Sequence, residues 1–252
     1  MTKVLIQFLA ATTALTISMP AFAQDAQADG ASESNDIIVT ARRSDERLQD
    51  VPVSVQVVTG ASLDKLAITS VDEISKLAPG LSLVNQGSST IVVLRGVTWQ
   101  PGSGTPATPI YFNDAPFDPA QTVQSLFDVG QIEVLRGPQG TSRGAPSISG
   151  AVTITTRKPD LSEFGGYARA QYGSANHWAV QGAINAPIIK DVLALRLAAN
   201  IENSENNRVY SVNSAIKPTL ADRSFRATLL LKPMDTLSIQ AMYQRRKTAR
   251  RD

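Results

Sequence analysis

The sequence predicts an α+β fold in two consecutive parts: a small mixed-sheet domain over residues 51–159, then antiparallel strands over residues 160–252. Strand-like runs interleaved with a capped helical segment fill the first part, and no helix signal survives beyond Asp160. Five runs in the second part alternate apolar and polar residues with period two.

The chain opens with a segment to be set aside before fold reasoning. Lys3 supplies a positive start, VLIQFLAATTALTIS an apolar stretch, and Ala21-Phe22-Ala23 a small-residue cleavage site. Residues 1–23 therefore read as a secretory signal peptide, too short and too rich in Thr and Ser for a membrane span. Residues 24–35 are polar, small and acidic, with nothing to bury, and are expected to be disordered. In DIIVTARR, Asp36 to Arg43, β-branched residues sit alone between polar stretches. Such a segment suits either addition to another protein's sheet edge or the first strand of the domain that follows.

From Val51, VPVSVQVVT alternates as a strand, with Pro52 near its start where a missing N–H is tolerated. SVDEISKLAPG places Ser70 and Glu73 at capping-box spacing and stops at Pro79-Gly80, with Val71, Ile74, Leu77 and Ala78 on one helical face. Strands follow at LSLVN and IVVLRGV, and PIYFNDAPF reads as a hairpin turning at Asn113-Asp114. A short helix is expected over Val123–Phe127, and a strand over Ile132–Leu135.

That strand opens the stretch IEVLRGPQGTSRGAPSISGAVTITTRKP, whose glycines invite a phosphate-site reading. The residues exclude it. A phosphate loop needs a Gly-Lys-Ser/Thr ending or a turn opening a helix, whereas Gly144 precedes Ala145-Pro146 and Gly150 leads into the strand-like AVTITT. Gly102 and Gly104 lead into TPATP, whose prolines forbid a helix.

Composition removes further classes. With no cysteine, thiol catalysis and thiolate metal sites are excluded, and the exported chain must hold itself by burial and sheet pairing. The lone histidine, His177, has no partner histidine and reads as a polar residue at a strand end. A hydrolase would need a nucleophile, base and orienter, and no motif supplies them, so no enzyme, cofactor or metal is expected. A formal charge of +2 is too small to argue for a nucleic-acid partner, and none is expected. The basic run RRKTARR, Arg245 to Arg251, reads as a solvated strand end or loop.

The five alternating runs span Gly166–Gly173, Trp178–Ile188, Val192–Glu202, Ser224–Lys232 and Thr236–Lys247. In the third, Leu193, Leu195, Leu197, Ala199 and Ile201 oppose Arg196, Asn200 and Glu202. Alternation alone suits a soluble sandwich as well as an outer-membrane barrel. Run lengths of about ten residues, and Tyr172, Trp178, Phe225 and Tyr243 near run ends, favour the barrel.

Taken together, the signal peptide, DIIVTARR, VLRGV, IEVLRGPQGT and GAVTITTRKP fall in one order that resembles the N-terminal part of a TonB-dependent outer-membrane receptor. The resemblance covers residues 1 to 252. It implies a flexible periplasmic segment over residues 24–50 holding the box captured by TonB, a plug domain over 51–159, and the first strands of an incomplete outer-membrane β-barrel. Asp36, Ile37, Ile38, Val39, Thr40 and Ala41 match the TonB box. Arg95 and Arg136 match plug arginines that face acidic residues of the barrel wall. Those partners are expected beyond Asp252, leaving both arginines solvent-facing or paired within the plug.

The function implied is energised uptake of a scarce solute, such as a ferric siderophore, across the outer membrane of a Gram-negative bacterium, with TonB and its inner-membrane energising complex as partners. The plug would act as the gate. The alternative is an isolated periplasmic plug-like binding module without transport. Ser142, Arg143, Ala145, Pro146 and Ser149 depart together from the family's usual loop, and five strands fall short of the ~22 of a family barrel, as expected of a partial receptor.

Overall fold

The computed structural model describes residues 37–40, 46–86, 89–99, 104, 106–117, 126–138, 147–174, 176–205 and 219–251. The residues read as a signal peptide (1–23), the polar stretch 24–35, Asp36, Ala41, most of the stretch 123–127 expected to be helical, and Ser142, Arg143, Ala145 and Pro146 lie outside the described residues.

The first part runs β1 (Ile38–Val39), β2 (Glu46–Arg47), a 3-10 turn (Leu48–Asp50), β3 (Val55–Thr59), α1 (Gly60–Lys65) and α2 (Val71–Ile74). It continues through β4 (Leu81–Gln86), β5 (Ser89–Leu94), β6 (Ile110–Phe112), β7 (Ala115–Phe117), β8 (Val129–Arg136) and β9 (Gly150–Thr156). Its central sheet has the order β3-β8-β9-β6-β7, with β6 and β9 parallel and the other pairs antiparallel. The mixed sheet expected from sequence is therefore present. Pro116, which has no N–H for a ladder, sits on its edge strand β7.

Each face of that sheet carries its own core. On one, Val58, Ile110, Ile132, Val134, Val152 and Ile154 pack under α1, α2 and the β4–β5 hairpin. On the other, Leu135, Tyr111 and Ala151 are covered by Val39 and Val51 from the N-terminal segment. This lid places the segment expected to be flexible directly on the domain.

Three local expectations are corrected. The strand expected from Val51 begins at Val55 instead, because Pro52 cannot donate to the ladder and Val51 turns into the second core. Ser70 caps α2 by position but makes no side-chain cap; Glu73 reaches back to the Thr69 N–H at 3.3 Å. Leu126 and Phe127 are not helical. Sequence reading also missed α1, where Thr59 Oγ1 accepts from the Ser62 N–H at 3.2 Å. Gly60 starts that helix because a side chain there would run into the Val129 carbonyl.

The hairpin expected at Asn113-Asp114 is present, and both residues are left-handed (φ 45° and 65°), as a type I′ turn requires. Asn113 secures it further: its Oδ1 accepts from the Thr156 N–H at 2.9 Å and its Nδ2 donates to Thr156 Oγ1 at 3.1 Å.

After Pro159 the chain forms β10 (Gly165–Tyr172), β11 (Trp178–Ile189), β12 (Leu193–Glu205), β13 (Thr219–Met234) and β14 (Leu237–Arg251). They pair in sequence order as a five-stranded antiparallel meander. The crossing from the mixed-sheet domain to the meander is tied down by Asn185 of β11. Its side chain accepts from the Asp160 N–H at 2.9 Å and donates to the Asp160 and Glu163 carbonyls at 3.0 and 2.7 Å. Asp160 in turn accepts from the Ser162 hydroxyl and from the Ser162 and Glu163 N–H groups, and these bonds, the hydroxyl's foremost, hold its carboxyl below the usual carboxylate range.

Candidate functional site

The segment Ile37–Thr40 is short, β-branched and docked. Val39 is fully buried while Ile38 is 43% exposed, as a two-faced strand demands. One edge of β1 pairs with β2, and the Leu48 N–H donates to the Ile37 carbonyl at 2.8 Å. The opposite edge presents the Ile38 carbonyl and the Thr40 N–H. Gln131 Nε2 donates to the former at 3.1 Å, and Glu133 Oε1 accepts from the latter at 2.8 Å and from Thr40 Oγ1 at 3.0 Å. Burying a valine is worth about 1.5–3 kcal/mol, to which the hydrogen bonds from Leu48 and Gln131 and to Glu133 add.

The two arginines singled out in the sequence stay with the plug. Arg136 Nη2 donates to Gln56 Oε1 and, at 3.0 Å, to the Pro79 carbonyl. Arg95 is exposed and left-handed (φ 57°), with its N–H on the Gly80 carbonyl at 2.8 Å. Among the described residues neither reaches a carboxylate of the meander.

Contacts between plug and meander run through other residues, and with the opposite polarity: the plug gives the acids and the meander the arginines. Arg196 of β12 forks onto Asp128, Nε to Oδ2 at 2.8 Å and Nη2 to Oδ1 at 2.5 Å, with Asp128 only 4% exposed. Arg226 of β13 donates to the Phe127 carbonyl at 3.3 Å and lies 4.4 Å from the Phe127 ring centroid. The Phe127 ring itself seats against Ala183 and Ala198, small residues that leave it a hollow.

A second contact lies at the exit of the plug. Asp64 of α1 accepts from Arg157 Nη2 at 2.5 Å and from Arg169 Nη1 of β10 at 2.9 Å. Burial pushes the Asp64 carboxyl up, but the hydrogen bonds and charges of Arg169 and Arg157 outweigh it and hold the group below its ordinary value. No sequence motif marks these pairs; the one available signal was arginines on the polar face of the strand runs.

Which face of the meander is buried decides what it is. Gln181, Asn185, Arg196, Asn200, Asp222 and Thr228 are buried, while Val180, Ile184, Leu197, Ile201, Phe225 and Ile239 are exposed. A soluble sandwich would do the reverse. The spacing of the strands agrees: β11 and β12 are three residues apart and β13 and β14 two, whereas β10 and β11 are five apart and β12 and β13 thirteen. Outer-membrane barrels have this apolar-out, polar-in alternation, with short periplasmic turns and longer extracellular loops.

Residues 47–151 match the family model of the TonB-dependent Receptor Plug Domain. The chain belongs to the TonB-dependent receptors. It is 31% identical to the pesticin receptor of Yersinia pestis over 172 residues, covering 68% of this chain and 25% of that protein. Against the vitamin B12 transporter BtuB of Vibrio vulnificus it is 30% identical over 162 residues, covering 61% and 26%. The crystal structure of the ferric yersiniabactin uptake receptor FyuA from Yersinia pestis superposes with a TM-score of 0.71 at 26% identity, covering 78% of this chain and 32% of that one. The chain thus spans about a quarter of the length of the curated relatives it matches. As a TonB-dependent receptor its place is the outer membrane, with β10–β14 as barrel wall and the domain before them as plug.

Proposed function

We propose that this receptor takes up a scarce ferric chelate across the outer membrane, driven by TonB engaging residues 36–41. The observation that carries the proposal is the seating of the plug on the polar face of the wall through Asp128–Arg196 and Phe127–Arg226. A stopper held by discrete charged contacts obstructs the lumen at rest and is removable by force. The ligand class is supported by the ferric yersiniabactin receptor among its structural relatives, while a relative named for vitamin B12 keeps other bulky solutes in the test. The apolar outer face argues for a membrane wall over the alternative of a free periplasmic plug module.

The test is uptake of radioiron from a panel of ferric chelates, and of radiolabelled vitamin B12 beside them, by host cells with and without the gene, each with TonB present or absent. Uptake of one chelate that requires both supports the proposal. Uptake of every chelate at equal rates without the gene would refute it.

A further inference from the structure

We infer that Gln131 and Glu133 form a side-chain substitute for a β-strand, occupying the edge of residues 38–40 on which a partner strand would add, so that they set how readily the segment is captured. The inference rests on the reading of residues 36–41 as a strand-adding segment. In an extended strand, the main-chain groups of residues two apart point to the same edge. Ile37 faces β2 through its carbonyl, so Ile38 and Thr40 face away from it. An incoming strand must donate to the Ile38 carbonyl and accept from the Thr40 N–H.

Both positions are already filled, and with matching chemistry. The Gln131 amide is the donor, at 3.1 Å, and the Glu133 carboxylate the acceptor, at 2.8 Å. Gln131 and Glu133 are themselves two apart on β8, so their side chains leave one face of the sheet together, and Gln131 Nε2 donates to Glu133 Oε1 at 2.6 Å, joining them. Glu133 is fully buried, and its Oε2 has no hydrogen-bond partner among the described residues. A buried carboxylate with spare acceptor capacity is held by what it accepts, and Thr40 gives it two bonds.

Blocking acts on affinity through population: a partner binds the undocked segment, so its apparent affinity falls by the fraction undocked. A peptide of residues 30–50 has no block and sets the upper limit. The experiment titrates the periplasmic domain of the host's TonB into that peptide, into the full chain, and into full chains carrying Gln131→Ala or Glu133→Leu. Amide exchange at Thr40, Ile132 and Val134 is followed in the same chains.

The expected result is weaker binding to the wild-type chain than to the peptide, with affinity rising about threefold in Gln131→Ala and about tenfold in Glu133→Leu. Thr40 exchange should accelerate by similar factors while Ile132 and Val134 stay protected. Gln131 is only partly buried, so its variant keeps the core intact and reads the edge alone. Equal affinity of all three chains, unchanged Thr40 exchange, or exchange rising equally at all three amides would overturn the inference. If the peptide fails to bind while Thr40 exchange accelerates as stated, the blocked edge stands and TonB capture is what fails.

Discussion

Arg196 on the wall and Asp128 on the plug, 68 positions apart in sequence, meet as a buried two-pronged ion pair. Neither is exposed enough to find water in place of the other. The pair joins the two parts of the chain where Phe127 is also seated.

Removing one partner should therefore cost more than removing both. Asp128→Ala leaves Arg196 buried without its counter-charge, an effect of about 3–5 kcal/mol. The double variant Asp128→Ala/Arg196→Met should lose less stability than Asp128→Ala alone. Urea unfolding of the four chains of this double-mutant cycle measures it.

Asp64 gives the plug an acid-sensitive tie. Its carboxyl lies below the ordinary 3.8 in the folded chain. A depressed folded value means the stabilisation is fully present above the unfolded value and disappears as pH falls through the folded one. The urea midpoint measured from about pH 5 down to about pH 2 should fall less steeply in Asp64→Asn than in the wild type.

The hairpin turn predicts opposite outcomes at adjacent residues. Asp114→Gly relieves a left-handed side chain and should stabilise by about 0.5–1 kcal/mol. Asn113→Gly relieves the same strain but loses both bonds to Thr156, and should destabilise by about 1 kcal/mol. Thermal midpoints of the two variants separate these effects.

Elements set by near neighbours were legible in the sequence, and those set by distant ones were not. Asn113-Asp114 between apolar runs announced its hairpin, and the period-two runs announced the wall strands within a few residues of their ends. α1 was hidden because six residues, Gly60–Lys65, are too few to show a helical period. The ties at Asp128–Arg196 and Asp64–Arg169 join residues 68 and 105 positions apart, and nothing local distinguishes them from surface charges. The docking of Val39 was legible only as one of two readings, since a lone β-branched run suits an added strand and a first strand equally.

Strand addition by residues 36–41 rests on backbone hydrogen bonds, so it should tolerate a change of side chain but not of backbone. In the peptide of residues 30–50, Ile38→Pro should abolish binding of TonB's periplasmic domain and Ile38→Val should preserve it. Calorimetric titration of both peptides decides; equal affinities would remove the box assignment.

The central claim is that β10–β14 form an outer-membrane wall whose apolar face meets lipid and whose polar face meets the plug. The chain has no cysteine, so single cysteines along β12 report without background. The measurement is fluorescence quenching by brominated lipid of a label placed in turn at each position from 194 to 201, in membranes containing the full chain. Positions 195, 197, 199 and 201 should be quenched, and positions 194, 196, 198 and 200 should not. Uniform quenching along the strand, or quenching confined to the even positions, would contradict the claim.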